Sequence, residues 1–281
     1  SAFCNGGLDL FGISSGLSGY SDAPQLHAVM AALVFLGGIG FVVWDDIRNY
    51  FKTKKLTMHT KLVLIYSGAL FLIGFLAYFI VTLVHQEQFG DMTITDKLFC
   101  SAFTSISARN AGFNMKDIAM VNDFSKIITV LLMFIGAAPA STGGGIRVTT
   151  LAILLATVEA VLKNRDDARL YGHSVSKRLV YKALSVLILS VGFSIICFTG
   201  IYLLNPQIAE MDILYEVVSA FATKGFSAGV SAAVDPISKL LLCFIMMVGR
   251  VGPVSLLLSF KGDKGDSDKG KILPSCEILI G

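Results

Sequence analysis

A chain of 281 residues that is 54% hydrophobic and only 15% charged, with a formal net charge of +3, lacks the balance of a soluble domain, which carries about 25% charged residues. Its five cysteines (Cys4, Cys100, Cys197, Cys243 and Cys276) show no CxxC spacing and no nearby histidine pair, which argues against a metal site or a disulfide framework. The basic residues gather beside long apolar runs, which favours membrane topology over nucleic-acid binding.

In chain order, the first segment is SAFCNGGLDLF, residues 1–11, a small and polar stretch containing Gly6 and Gly7. Asp22 and Pro24 then supply N-cap and N1 residue types, and a helix is predicted over 25–48. Within it FLGGIGF, 35–41, reads as a small-residue surface for close helix packing. A basic connector follows, with Arg48, Lys52, Lys54, Lys55 and Lys61. The run 62–84 has no charged residue, which predicts a span over 61–84, long enough for a hydrocarbon core of about 30 Å. Residues 93–114 are moderately apolar and too short to cross. They read as a short helix followed by a glycine-containing return, a re-entrant segment.

Asn122, Asp123 and Ser125 announce a helix over 126–162, too long for one straight span. Its middle, GAAPASTGGGIRVTT at 136–150, holds Pro139 and Gly143, Gly144 and Gly145, so the helix is expected to break within the membrane, inside protein. The run lacks the GK[ST] of a phosphate-cradling loop and follows an apolar helix rather than a strand. A second basic connector carries Lys163, Arg165, Arg169, Lys177, Arg178 and Lys182. A span is predicted over 177–204, a second re-entrant segment over 211–230, and a last helix over 237–259, announced by Asp235 and Pro236. The tail KGDKGDSDKGK, 261–271, reads as a flexible linker. The positive-inside rule places both basic connectors and the tail in the cytoplasm and both re-entrant segments outside.

Three segments align: SAFCNGGLDLF, SISARNAGFNM at 105–115 and SAFATKGFSAG at 219–229. The three segments share a glycine before a bulky apolar residue, Gly7 before Leu8, Gly112 before Phe113 and Gly225 before Phe226. Glycine admits positive φ, so successive carbonyls can turn toward one axis. Carbonyls ringed about a narrow axis can replace the hydration shell of a cation. The preceding short helix points its negative C-terminal end at the same cavity. Arg250, inside an otherwise apolar helix, is expected to face inward and donate to carbonyls of the 136–150 loop, holding it closed. Arg147 is expected either at the pathway or at the cytoplasmic interface, and Arg109 is expected to need an acidic or carbonyl partner behind its glycine.

These residues resemble the Trk/Ktr/HKT superfamily of cation-uptake membrane subunits. The three segments look like that family's second, third and fourth filters, 136–150 like its intramembrane loop, and GRVGP at 249–253 like its last-helix motif. The ending CEILIG is similar to Ktr-type subunits. The resemblance implies an all-α integral membrane protein of tandem membrane–pore loop–membrane repeats, potassium-channel-like, around a central pore. The expected divisions are a partial second repeat (1–52), a third repeat with its gate loop (53–165, loop 136–150), a fourth repeat (166–260) and a cytoplasmic tail (261–281). Opening on SAFCNGG, with no initiator methionine or signal peptide, the chain is expected to be N-terminally incomplete.

The implied function is potassium uptake across the cell membrane, with no covalent chemistry and no cofactor in this chain. The potassium ion is expected on backbone carbonyls of Cys4, Asn5, Gly6 and Gly7, of Asn110, Ala111 and Gly112, and of Thr223, Lys224 and Gly225. The gate is expected to comprise Ala140, Ser141, Thr142, Gly143, Gly144, Gly145 and Arg250. The implied partners are a second copy of the subunit, membrane lipid and a cytosolic nucleotide-binding regulatory ring contacting the basic connectors; no nucleic acid is expected. Lys224 stands where the family commonly has valine, and its side chain is expected to point behind the filter toward Glu216. Sodium or mixed transport is the alternative, because the family's first filter bears on that choice. A secondary solute transporter with broken helices is a further rival, but it would show inverted rather than co-directional repeats. A membrane enzyme lacks support, since no nucleophile–base pair is evident and His27, His59, His85 and His173 fall at span ends or connectors.

Overall fold

The computed structural model describes residues 1–7, 24–90, 92–113, 121–165 and 167–260. The end of the first aligned segment (8–11), Asp22, Asn114 and Met115 of the second segment, and the tail 261–281 lie outside the described residues. Twelve helices are described: α1 (Pro24–Gly38), α2 (Phe41–Thr53), α3 (Met58–Val84), α4 (Gln86–Phe89), α5 (Ile94–Asn110), α6 (Asp123–Phe134), α7 (Val148–Leu162), α8 (Lys177–Leu204), α9 (Glu210–Ala222), α10 (Val230–Ala233), α11 (Pro236–Val251) and α12 (Pro253–Phe260). The only described strands, β1 (Arg169–Leu170) and β2 (His173–Ser174), make a hairpin in the second basic connector. Its turn residues Tyr171 and Gly172 both have positive φ, as a two-residue loop with the right twist requires.

Among the described helices, α3 and α8 are each long and apolar enough to cross a membrane. Their outward faces show why they need one. Leu72, Ile73, Leu76, Ile80 and Leu83 of α3, and Leu184, Ile188, Val191 and Ile195 of α8, are exposed at helical spacing. An apolar face of that extent is stable in lipid and a liability in water. Polar residues turn inward: the buried Tyr78 hydroxyl lies 2.7 Å from Thr129 Oγ1 of α6, and Asn205, capping α8, donates to Ser238 Oγ of α11 at 2.8 Å.

Two helices predicted as continuous are broken. Residues 25–48 form α1 and α2, bent by 94° at Ile39 and Gly40. Residues 237–259 form α11 and α12, bent by 96° at Gly252. The break glycines adopt φ values of 90° and 94°, which no helix accommodates. Pro253 then starts α12, and a residue preceding proline is disfavoured in the α region. The long stretch 126–162 divides into α6 and α7 around an irregular loop over 135–147.

The short helices α5 and α9 lie at the centre. α5 packs on α1, α3 and α6; α9 packs on α6, α8, α10 and α11. Both start at the same face of the molecule, where His85 after α3 meets the α6 cap Asn122, and Lys126 of α6 pairs with Asp212 in the first turn of α9 at 2.5 Å. The contact of α11 with α9 is backbone-close: a Cβ on Gly249 would overlap the Phe221 carbonyl oxygen. That approach brings the end of α11, with Arg250, up to the base of the central loops.

Candidate functional site

The three aligned segments end their short helical turns in closely similar ways. The amide of Gly6 donates to the Ser1 carbonyl, that of Gly112 to Ser107 and that of Lys224 to Ser219, each at 3.0 Å. Each bond spans five residues, the wrapped C-cap that follows when the chain enters the left-handed region. In the outer two segments Asn5 (φ 52°) and Thr223 (φ 53°) take that conformation, and the glycine follows two residues later. In the middle segment α5 runs one turn position further, and Gly112 itself both donates and turns. This register difference keeps Asn110 helical and buried.

Gly7, Gly112 and Gly225 have φ of 64°, 73° and 86° and lie against one another. A Cβ on Gly7 would lie 2.5 Å from the Ala111 carbonyl oxygen and 2.6 Å from that of Lys224. On Gly112 it would lie 1.9 Å from the Lys224 oxygen. On Gly225 it would lie 3.4 Å from Gly7 Cα and 3.6 Å from the Gly6 oxygen. The carbonyls just before the glycines therefore crowd one point in the protein, and at Gly7 and Gly112 only a residue without a side chain leaves room there. A cavity of about 350 Å³ opens between the first and third segments, lined by Gly6, Thr223, Gly225, Ser219 and Glu216 among others.

The remaining filter candidates are placed as follows. Cys4 is an exposed free cysteine, and Asn5 is buried with its side-chain amide 2.7 Å from Thr142 Oγ1. Asn110 is buried against Gly38 of α1. FLGGIGF, read as a helix-packing surface, packs at Gly38 against Asn110 of α5 and also receives loops. The Ala138 amide donates to the Gly38 carbonyl, Thr142 Oγ1 donates to Gly37, and the Phe41 amide donates to Ala140.

The loop between α6 and α7 is pinned at its base by Gly136 N–H to the Ile146 carbonyl (2.8 Å) and Ile146 N–H to Phe134 (3.2 Å). Its tip reaches the third segment, where a Cβ on Gly144 would meet Thr223 Oγ1 and the Ala222 carbonyl. Two arginines fasten it. Arg250, exposed at the end of α11, donates from Nη1 to the Thr142 carbonyl. Arg147 folds back and donates from the same kind of nitrogen to Ala138, Ser141 and Gly143. Arg147 is thus an internal brace of the loop, a role its position after the glycine run did not announce.

Arg109, buried on α5, donates to the Ser67 carbonyl of α3 at 3.0 Å, so its partner is a carbonyl and not an acid. Lys224 does not approach Glu216 as expected. The Glu216 carboxylate is taken by Ser227 Oγ and the Ala228 amide, each at 3.0 Å. The Lys224 side chain runs instead to the loop, its Nζ 3.3 Å from where a Cβ on Gly143 would stand. Among the described residues no group of three or more acids, histidines and cysteines could hold a metal ion, so backbone oxygens are the concentrated acceptors here.

Comparison with known proteins gives a consistent set of likenesses. The family model described as TrkH, cation transport protein, matches residues 1–267. Ktr system potassium uptake protein B of Bacillus subtilis is 34% identical over 262 residues, covering 92% of this chain and 58% of that protein. Potassium/sodium uptake protein NtpJ of Enterococcus hirae is 32% identical over 289 residues, covering 100% of this chain and 62% of that protein. The crystal structure of the potassium transporter TrkH from Vibrio parahaemolyticus superposes with a TM-score of 0.74 at 17% identity, covering 92% of this chain and 56% of that one. The chain thus spans about three-fifths of the length of the curated relatives it matches.

Proposed function

Since the chain belongs to the TrkH family of cation transport proteins, we propose that it is part of a potassium uptake pathway across the cell membrane. The observation that carries this reading is the meeting of Gly7, Gly112 and Gly225, with the carbonyls of Gly6, Ala111 and Lys224 gathered beside them. Neutral oxygens at fixed spacing replace ion hydration without trapping the ion, as a carboxylate cage would. Residues 1–52, 53–165 and 166–260 then act as successive repeats about that point, and 136–150 acts as the gate on its cytoplasmic side. The work is transport without covalent chemistry, so the chain is not an enzyme.

The basic connectors lie in the cytoplasm in this reading, and with the tail 261–281 they offer the contact surface for a cytosolic nucleotide-binding ring. Two copies of the subunit and the surrounding lipid complete the assembly. Sodium is the second reading, supported by the likeness to a protein named for both potassium and sodium. The full-length protein containing this chain, in proteoliposomes, decides between them. Rubidium uptake competed by excess potassium but not by excess sodium is the expected result. Equal competition by sodium supports the second reading, and no rubidium uptake at all overturns both.

A further inference from the structure

Lys224 is fully buried, and its Nζ has no hydrogen-bond partner. The charged groups fastened to the same stretch of loop are Arg147, on the Gly143 carbonyl, and Arg250, on the Thr142 carbonyl, both cations. The acid of the preceding helix α9 eight residues before it, Glu216, is committed to Ser227 and Ala228. Three loop carbonyls already accept from arginines, Thr142 from Arg250, and Ala138 and Gly143 from Arg147. A buried ammonium without acceptors is a costly arrangement, and a packing role would be filled better by the apolar stem alone. The residue's own carbonyl faces Gly7 and Gly112, while its ammonium lies against Gly143, so one residue reaches from the carbonyl cluster to the gate loop.

We infer that Lys224 is a tethered cation that occupies the space between the filter and the gate loop and bars ions from it while the loop is closed. This rests on the reading of the three glycines as an ion filter. When protonated, the Lys224 amine presents a like charge to an ion leaving the filter. At an effective dielectric of about 20, two like unit charges about 4 Å apart lower occupancy by roughly a thousandfold, and by about tenfold to a hundredfold at about 6–12 Å. Displacement of the loop breaks the Arg250 contact, frees the Thr142 carbonyl as an acceptor, and lets the Lys224 side chain follow the loop out of the path. The side chain thereby ties the state of the loop to the occupancy of the filter.

The test uses rubidium uptake by the full-length protein in proteoliposomes, without any regulatory partner. Lys224→Met, which keeps length and removes charge, is expected to raise basal uptake by about tenfold or more, and Lys224→Arg, which keeps the charge, to conduct at least about tenfold less than Lys224→Met. Basal uptake by Lys224→Met equal to or below wild type, with the wild type conducting and Gly112→Val silent, overturns the inference and leaves the filter reading standing. Wild-type uptake that Gly112→Val does not reduce overturns the filter reading itself. If Lys224→Met fails to assemble, Lys224→Cys serves instead. Its uptake is expected to fall on reaction with an aminoethyl methanethiosulfonate and to stay unchanged with the neutral methyl reagent. Equal effects of the two reagents overturn the inference.

Discussion

Gly112→Val is expected to abolish cation uptake while leaving the protein in the membrane. The substituted Cβ would stand 1.9 Å from the Lys224 carbonyl oxygen and 2.7 Å from its carbon, backbone atoms that cannot swing aside. A β-branched residue must also hold φ near 73°, a strain of about 1–3 kcal/mol. The relief is displacement of the third segment and of its carbonyl. If an ion loses two such acceptors, each contributing about 1.5–3 kcal/mol, uptake falls by at least about a hundredfold. The effect is graded by position. Alanine at Gly225 meets nothing closer than 3.4 Å, so Gly225→Ala carries only the backbone strain and is expected to conduct better than Gly112→Ala. Rubidium uptake normalised to membrane abundance measures the order, and equal uptake by both alanine variants and the wild type would speak against a filter at this point.

Arg250→Ala is expected to raise basal flux, the opposite direction. Its guanidinium joins α11 to the Thr142 carbonyl, a bond between parts of the chain 108 residues apart, whereas Arg147 braces the loop from within. A charged hydrogen bond stabilises by about 1.5–3 kcal/mol, so its loss shifts the loop toward the open arrangement by about tenfold to a hundredfold. Deleting 140–145 should act the same way and further, because it also removes the Thr142 contacts with Asn5 and Gly37 and the contact of Gly144 with Thr223. Unchanged or lower basal flux in both variants, at normal membrane abundance, would contradict a gating role. Arg147→Ala makes a useful comparison, since it loosens the loop's own fold before its attachment.

The parts of this arrangement visible in the sequence are those where glycine or proline dictates backbone. Three glycines before bulky apolar residues announced three turned segments, and Pro139 with Gly143, Gly144 and Gly145 announced the break between α6 and α7. The bends after α1 and α11 carried the same kind of signal. Gly40 ahead of Phe41, and Gly252 ahead of Pro253, stop one helix and start the next, but uninterrupted apolar composition on both sides read as single spans. What composition conceals is the partner of a side chain. Lys224 and Glu216 are eight residues apart near one helix and of opposite charge, yet the acid is filled by Ser227 and Ala228, which the returning chain brings to it. The close fit of Gly37 to the first segment and the 136–150 loop, and of Gly38 to α5, likewise depends on tertiary placement.

The most direct measurement is anomalous scattering from crystals of the full-length protein grown or soaked in rubidium. A rubidium peak on the point bounded by the carbonyl oxygens of Gly6, Ala111 and Lys224 is the expected result. Rubidium found only at carboxylates such as Glu216 or Asp212, with that point empty in a protein that transports rubidium, would contradict the assignment of these main-chain oxygens as the ion's ligands.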